Sequence, residues 1–95
     1  MQISWQPASL PDDPLRCGHG IGICTRTGDE RRLIAFVNGF GWLHDGDDAV
    51  VRFVPALLPP DEIVARELRR AFEHILRERQ TDGPLPAGYE LTVNG

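Results

Sequence analysis

The sequence predicts an α+β fold, in which an antiparallel β-meander of about four to six short strands is covered on one face by one long α-helix. Two observations predict it. Short apolar and β-branched runs alternate with turn signals in the first half of the chain, and a longer segment with helical apolar spacing follows. We expect one small domain over residues 1–95, made of an N-terminal strand and loop (1–20), the meander (21–54), the helix (59–81) and a terminal strand (88–94).

The meander is predicted from its turns. Residues 2–5 alternate polar and apolar side chains and predict a short first strand, which a proline-rich loop follows. From Ile21 onward, IGICTR and RRLIAFVN predict two strands joined by the turn TGDE. Asn38-Gly39 predicts a type I′ turn into a third strand, FGWLH, and the turn DGDD leads into a fourth, AVVRFVP.

The helix is predicted from its ends and its apolar spacing. Pro59 and Pro60 suit a helix entrance, and Gly83 suits its end. One apolar stripe has three- and four-residue spacing and consists of Ile63, Val64, Leu68, Ala71, Phe72, Ile75 and Leu76. We expect Leu68, Phe72 and Ile75 to pack on some combination of Ile34, Phe36, Val51 and Phe53.

The alternating residues of the tail predict one more strand. Tyr89, Leu91 and Val93 recur at a spacing of two, which is the period of side chains on one face of a strand. This strand is expected either at the edge of the sheet or beside the N-terminal strand.

Composition limits the classes of function. The charged fraction of 25% is ordinary for a soluble domain, and the net charge of −4 disfavours attraction to nucleic acid or to anionic membranes. All ten basic residues are arginine, as GC-rich coding would produce, so a bacterial or phage source is expected. The N-terminus lacks the features of a secretory signal, and no stretch approaches the roughly 20 apolar residues that span a bilayer. We expect a cytoplasmic protein without a membrane partner.

The stretch LRCGHGIGIC concentrates residues that could bind a metal or a phosphate. The candidate zinc ligands are Cys17, His19 and Cys24 in this stretch and His44 further along the chain. Their spacing lacks the paired C-x2-C knuckle, and the glycines lead into a strand rather than a helix, without a phosphate-loop pattern. We therefore predict no metal and no cofactor. The glycines at 18, 20 and 22 are expected to allow a bend, a bulge or a close backbone approach.

Catalytic motifs are not evident. A cysteine nucleophile would need a neighbouring histidine, and the sequence does not bring His19, His44 or His74 to either cysteine. The acidic run HDGDD suits a turn, because the twelfth position of a calcium loop would fall on Ala56. We predict that the protein is not an enzyme, with a small metal- or thiol-dependent enzyme as the third hypothesis.

Two features favour binding. An arginine stripe, made of Arg66, Arg69, Arg70 and Arg77, lies on one side of the helix. The alternative is an ordinary solvated face with the i,i+4 pairs Glu62–Arg66, Arg69–Glu73 and Glu73–Arg77. Phe40 and Trp42 share one face of the predicted third strand and could form an apolar anchor.

The leading hypothesis is a non-catalytic protein-binding module. We expect it to act as an inhibitor or adaptor on a larger protein complex, for example as a phage or mobile-element product directed against a host defence system. The alternative is a nucleic-acid-associated or transcriptional regulatory protein that uses the arginine stripe. A homodimer is compatible with either hypothesis.

Overall fold

The fold is a five-stranded sheet with one α-helix. The computed structural model describes residues 2–10, 20–38, 48–78, 80 and 85–94. Within them, five mostly antiparallel strands and a helix of 17 residues form an α+β fold, which confirms the predicted class. The elements are β1 (Ile3–Pro7), β2 (Gly20–Thr27), β3 (Glu30–Asn38), β4 (Ala49–Phe53), a 3₁₀ turn (Pro55–Leu57), α1 (Glu62–Glu78) and β5 (Tyr89–Asn94).

The strands are ordered β1-β4-β3-β2-β5 across the sheet. β2 pairs antiparallel with both β3 and β5, and β4 pairs antiparallel with β3. β1 is the exception, because it runs parallel to β4, with Trp5 opposite Val51. The terminal strand therefore lies at one edge, which is one of its two predicted places, and the N-terminal strand lies at the other edge.

The third strand predicted for the meander is FGWLH (40–44). It was expected to pair with the strand before it; within the described residues, β3 pairs with β4 through Ala35–Phe53 and Phe36–Arg52. Residues 40–44 themselves lie outside the described part of the chain. β3 ends at Asn38, the first residue of the Asn-Gly turn signal.

The helix begins at a side-chain cap. Oδ1 of Asp61 accepts hydrogen bonds from the backbone N–H groups of Ile63 at 2.8 Å and of Val64 at 3.4 Å. These bonds satisfy N–H groups that a first turn leaves without partners, so α1 starts after Asp61 rather than at residue 59. It ends at Glu78, and Gln80 is not helical, so α1 is shorter than the predicted 59–81.

One face of the helix forms the core with the sheet. Leu68, Phe72, Ile75 and Leu76 are buried. They pack in one cluster with Ile21, Ile23, Ile34, Ala35, Val37, Ala49 and Val51, and Phe53 packs at its border. This agrees with the expected packing of Leu68, Phe72 and Ile75 on Ile34, Val51 and Phe53.

Ile63 does not belong to this buried face. It is 68% exposed, although the sequence analysis placed it in the apolar stripe. On a helix with 3.6 residues per turn, Ile63 lies about 180° from Phe72, which is the opposite side of the helix. The side chain of Ile63, nine residues before Phe72, therefore faces solvent.

Phe36 packs on the other face of the sheet. A β-bulge lies between Ile23 and Cys24, because Ile23 pairs with Ala35 whereas Cys24 pairs with Leu33. The extra residue, Ile34, lies on the helix side together with Ala35, so the alternation shifts and Phe36 points away from α1. There it forms a second cluster with Cys24 and Leu33, against which Leu10 packs.

Two of the glycines of LRCGHGIGIC allow this packing. A Cβ at Gly22 would lie 2.8 Å from the Ala35 carbonyl oxygen and 2.8 Å from Cδ2 of Phe36, and one at Gly20 would lie 2.7 Å from Cζ of Phe36. The Phe36 ring therefore rests on both glycines. The predicted close approach is confirmed at Gly20 and Gly22, and Gly18 lies outside the described residues.

Candidate protein-binding surface

The candidate metal and aromatic residues fall only partly within the described part of the chain. Five of them lie outside the described residues, namely Cys17, His19, Phe40, Trp42 and His44. Cys24 is fully buried in β2, beside Leu33 and Phe36. Among the residues that the structure describes, no group of three or more histidine, cysteine, aspartate or glutamate side chains could hold a metal ion. In the same part of the chain, no helix is long and apolar enough to cross a membrane.

The arginine stripe is divided by contacts within the fold. The Cζ atom of Arg69 lies 5.5 Å from the ring centroid of Trp5 and 5.7 Å from that of Phe53. These are cation–π distances. Arg77 is also engaged, because its Nη1 lies 3.7 Å from Oε2 of Glu73. Two of the four arginines therefore contact their own protein.

Trp5 joins the edge strand β1 to the helix. Its Nε1–H donates a hydrogen bond of 3.0 Å to Oε1 of Glu73. Its ring packs edge to face on Phe53 and on Phe72, with both pairs of centroids 6.0 Å apart. Arg69 covers the same ring. Arg69 and Glu73 thus help to hold β1 against α1.

Arg66 and Arg70, the other two arginines of the stripe, face solvent. Both residues are exposed, and neither forms an ion pair within the described part of the chain. Of the predicted i,i+4 pairs, Glu73–Arg77 is formed, whereas Glu62–Arg66 and Arg69–Glu73 are not. One of the three expected ion pairs is therefore present, and the guanidinium groups of Arg66 and Arg70 have no ion-pair partner among the described residues.

Ile63 aligns with these two arginines. The spacing i, i+3, i+7 places Ile63, Arg66 and Arg70 within about 60° on the helix. We name these three residues the helix ridge. It combines an isoleucine side chain that is 68% exposed with two arginines that have no ion-pair partner in the described residues.

Shallow cavities lie along the helix ridge. One, of about 340 Å³, is lined by Glu62, Ala65, Arg66 and Arg69. Another, of about 320 Å³, is lined by Glu67, Arg70, Ala71 and His74. Side chains of a partner that contacts the ridge would thus find concave surface next to it.

Ile63 and Trp5 were not among the candidate binding residues predicted from the sequence. The signal for Ile63 was present, because its angular distance from Phe72 on a helical wheel places it outside the core. The contacts of Trp5 depend on the parallel pairing of β1 with β4, which no local pattern indicates. The chain matches no protein-family model, no curated protein and no solved structure.

Proposed function

We propose that the protein is a small, non-catalytic protein-binding module whose helix ridge docks on a carboxylate-rich surface of a larger protein. The role that we propose is that of an inhibitor or adaptor. The observation that supports it is the alignment of the exposed Ile63 with Arg66 and Arg70, which form no ion pair in the described residues.

The chemistry of the ridge suits such an interface. Burying an exposed isoleucine side chain contributes on the order of 1.5–3 kcal/mol. A guanidinium group can form a bidentate, charge-assisted pair with a carboxylate, and arginine is enriched in the residues that dominate binding energy. The ridge is part of a regular helix that already packs on the sheet, so binding does not require its backbone to become ordered.

A carboxylate-rich protein suits this chain better than a nucleic acid. The net charge of −4 repels a polyanion at long range, whereas a protein surface with a few carboxylates would experience mainly the local charge of Arg66 and Arg70. The nucleic-acid alternative makes a different prediction, because affinity for DNA or RNA would fall steeply with salt.

Variants of the ridge test the proposal. The wild-type chain, an Ile63→Asp, Arg70→Glu variant and an Arg52→Glu control would each be used for affinity capture from the source organism, with mass spectrometry as the readout. Arg52 is an exposed arginine on β4, away from the helix. We expect a stoichiometric protein that the wild type and the control retain and the ridge variant loses.

The captured protein then allows a stricter test with purified components. Binding by an Arg70→Glu variant should be restored when a glutamate or aspartate of the partner surface is replaced by lysine. Retention of the same partner by the ridge variant would contradict the proposal. Recovery of DNA or RNA in place of a protein, with a steep salt dependence, would favour the alternative.

A further inference from the structure

Two arginines lie directly opposite each other at the end of the β2–β3 hairpin. Arg26 on β2 and Arg31 on β3 are register partners. Like charges at directly opposite positions of an antiparallel pair are destabilising. Glu90 on the neighbouring strand β5 compensates for this, with Oε1 at 3.3 Å from Nε of Arg26 and Oε2 at 3.5 Å from Nε of Arg31. We name these three residues the Glu90 triad.

The triad has a surplus of positive charge. Two guanidinium groups share one carboxylate, which leaves a formal charge of about +1 at neutral pH. In both ion pairs, Nε is the guanidinium nitrogen that lies against Glu90. The three side chains are 39–50% exposed, so an anion in solution can reach them.

A groove lies beside the triad. It has a volume of about 430 Å³ and is lined by Arg26, Gly28, Gly88, Tyr89 and Glu90. Gly28 and Gly88 have φ angles of 61° and 92°, and a Cβ at either would meet no atom within 4 Å. The groove is therefore open where the two glycines line it. A short, extended peptide segment could lie there, with a side chain that reaches the arginines.

We propose that the Glu90 triad and this groove bind a carboxylate side chain from an acidic segment of a protein partner. This inference rests on the proposed binding function and assigns a second contact surface to it. The triad lies on the sheet face opposite α1, because Glu90 is paired with Cys24, which packs with Leu33 and Phe36 on that face. A partner at the triad therefore does not compete with one at the helix ridge.

The occupant is a carboxylate of a protein rather than the phosphates of a nucleic acid. A nucleic acid presents a continuous row of negative charges, which the net charge of −4 opposes. A carboxylate in the groove meets Arg26, which lines it, and lies near Arg31, which shares Glu90 with Arg26. A guanidinium group suits bidentate contact with a carboxylate. Glu90 already shows how a carboxylate lies between these arginines.

The charge of the triad can be varied in both directions. Glu90→Gln raises its charge to about +2, and Arg31→Gln lowers it to about 0, with little change in side-chain size. The probe is a short glycine peptide that contains a pair of glutamates and has blocked ends. The same peptide with glutamines serves as the matched control probe. Binding is followed by NMR, through the Nε–H signals of the arginine side chains.

We expect the signals of Arg26 and Arg31 to shift saturably with the glutamate peptide, while the signal of Arg52, an exposed arginine on β4, does not. Affinity should increase by a factor of about two to five in Glu90→Gln and decrease by a similar factor in Arg31→Gln, which corresponds to exposed ion pairs. The glutamine peptide should not bind. Affinity should fall as salt is added.

Other results would overturn the inference. If Glu90→Gln weakens binding, the carboxylate holds the arginines in place rather than competing for them, and the triad is a structural ion pair. Equal shifts of all arginine signals would show non-specific charge attraction. Tighter binding of a short single-stranded oligonucleotide than of the peptide would favour phosphate recognition. An Arg66→Glu, Arg70→Glu variant should bind the peptide normally, so failure of the ridge proposal and failure of this one are distinguishable.

Discussion

The indole Nε1–H of Trp5 donates a hydrogen bond of 3.0 Å to Oε1 of Glu73, which lies 68 residues later in the sequence. It links β1, an edge strand that pairs with β4 in parallel, to the helix that covers the sheet. The other carboxylate oxygen of Glu73 lies 3.7 Å from Arg77. A single glutamate thus connects the N-terminal strand to the second half of α1.

Trp5→Phe tests the strength of this link. Phenylalanine keeps an aromatic ring near Phe53 and Phe72 but removes the N–H donor, so we expect a loss of about 1–2 kcal/mol in the free energy of unfolding. Urea denaturation of Trp5→Phe, Glu73→Ala and the double variant measures the coupling between the two residues. Additive effects of the two single changes would mean that the hydrogen bond contributes nothing to stability.

Phe72→Ala tests the packing of the helix on the sheet. Phe72 is fully buried at the centre of the core cluster, so its truncation leaves a cavity and should cost about 3–5 kcal/mol of unfolding free energy. The control is Arg70→Ala, an exposed position on the same helix, which should change stability by about 0.5 kcal/mol or less. Chemical denaturation followed by circular dichroism measures both. A near-neutral Phe72→Ala would show that the helix docks differently.

The buried helix positions were predicted correctly apart from Ile63, whereas the sheet face of Phe36, which depends on strand pairing, was not. The buried positions Leu68, Phe72 and Ile75 follow from helical spacing, which depends only on neighbours in sequence. Phe36 was placed on the wrong face because the bulge beside Ile23 shifts the alternation of β3 by one residue. The free energy of that bulge depends on packing between strands, so the sequence of β3 alone does not indicate where the bulge lies.

The same reasoning applies to the candidate binding residues. The arginine stripe was predicted from the helix alone. Contacts with β1 and β4 distinguish Arg69, which covers Trp5, from Arg66, which has no comparable contact among the described residues. The Glu90 triad depends on the register of β2 with both β3 and β5. Register is determined by the packing of the whole sheet, which a pattern within one strand does not reveal.

Gly22→Ala tests the close approach of Phe36. A Cβ at this position would lie 2.8 Å from the Ala35 carbonyl oxygen, which is backbone and cannot move aside easily. We expect a loss of about 1–3 kcal/mol in the free energy of unfolding. Gly28→Ala is the comparison, because a Cβ at Gly28 would meet no atom within 4 Å. Its loss of unfolding free energy comes only from the backbone φ of 61°. That cost is about 1 kcal/mol. Thermal or urea unfolding should rank Gly22→Ala as the more destabilising change.

The stretch LRCGHGIGIC is expected to bind no zinc. Its ligand spacing lacks a knuckle, and Cys24 is fully buried beside Leu33 and Phe36. Elemental analysis of protein purified without a chelator should find zinc well below one ion per chain. A stoichiometric zinc ion that is lost in a Cys17→Ser, Cys24→Ser variant would contradict this prediction.

Arg69→Gln should destabilise the fold more than Arg66→Gln, although both arginines are exposed residues of the same helix. The two substitutions are matched, because each removes one positive charge and arginine and glutamine have similar helix propensities. Only Arg69 has its guanidinium over the rings of Trp5 and Phe53, at 5.5 and 5.7 Å from their centroids.

A cation–π contact at an exposed site contributes about 0.5–1 kcal/mol, and 1 kcal/mol shifts the Tm of a domain of this size by about 4–8 °C. The Tm of Arg69→Gln should therefore fall by about 2–8 °C, whereas that of Arg66→Gln should change by less than about 2 °C. Differential scanning calorimetry measures both. If Arg66→Gln loses partner binding at an unchanged Tm while Arg69→Gln loses stability, the stripe divides into a binding half and a structural half. Equal Tm values for the two variants would instead show that the guanidinium of Arg69 is as free in solution as that of Arg66.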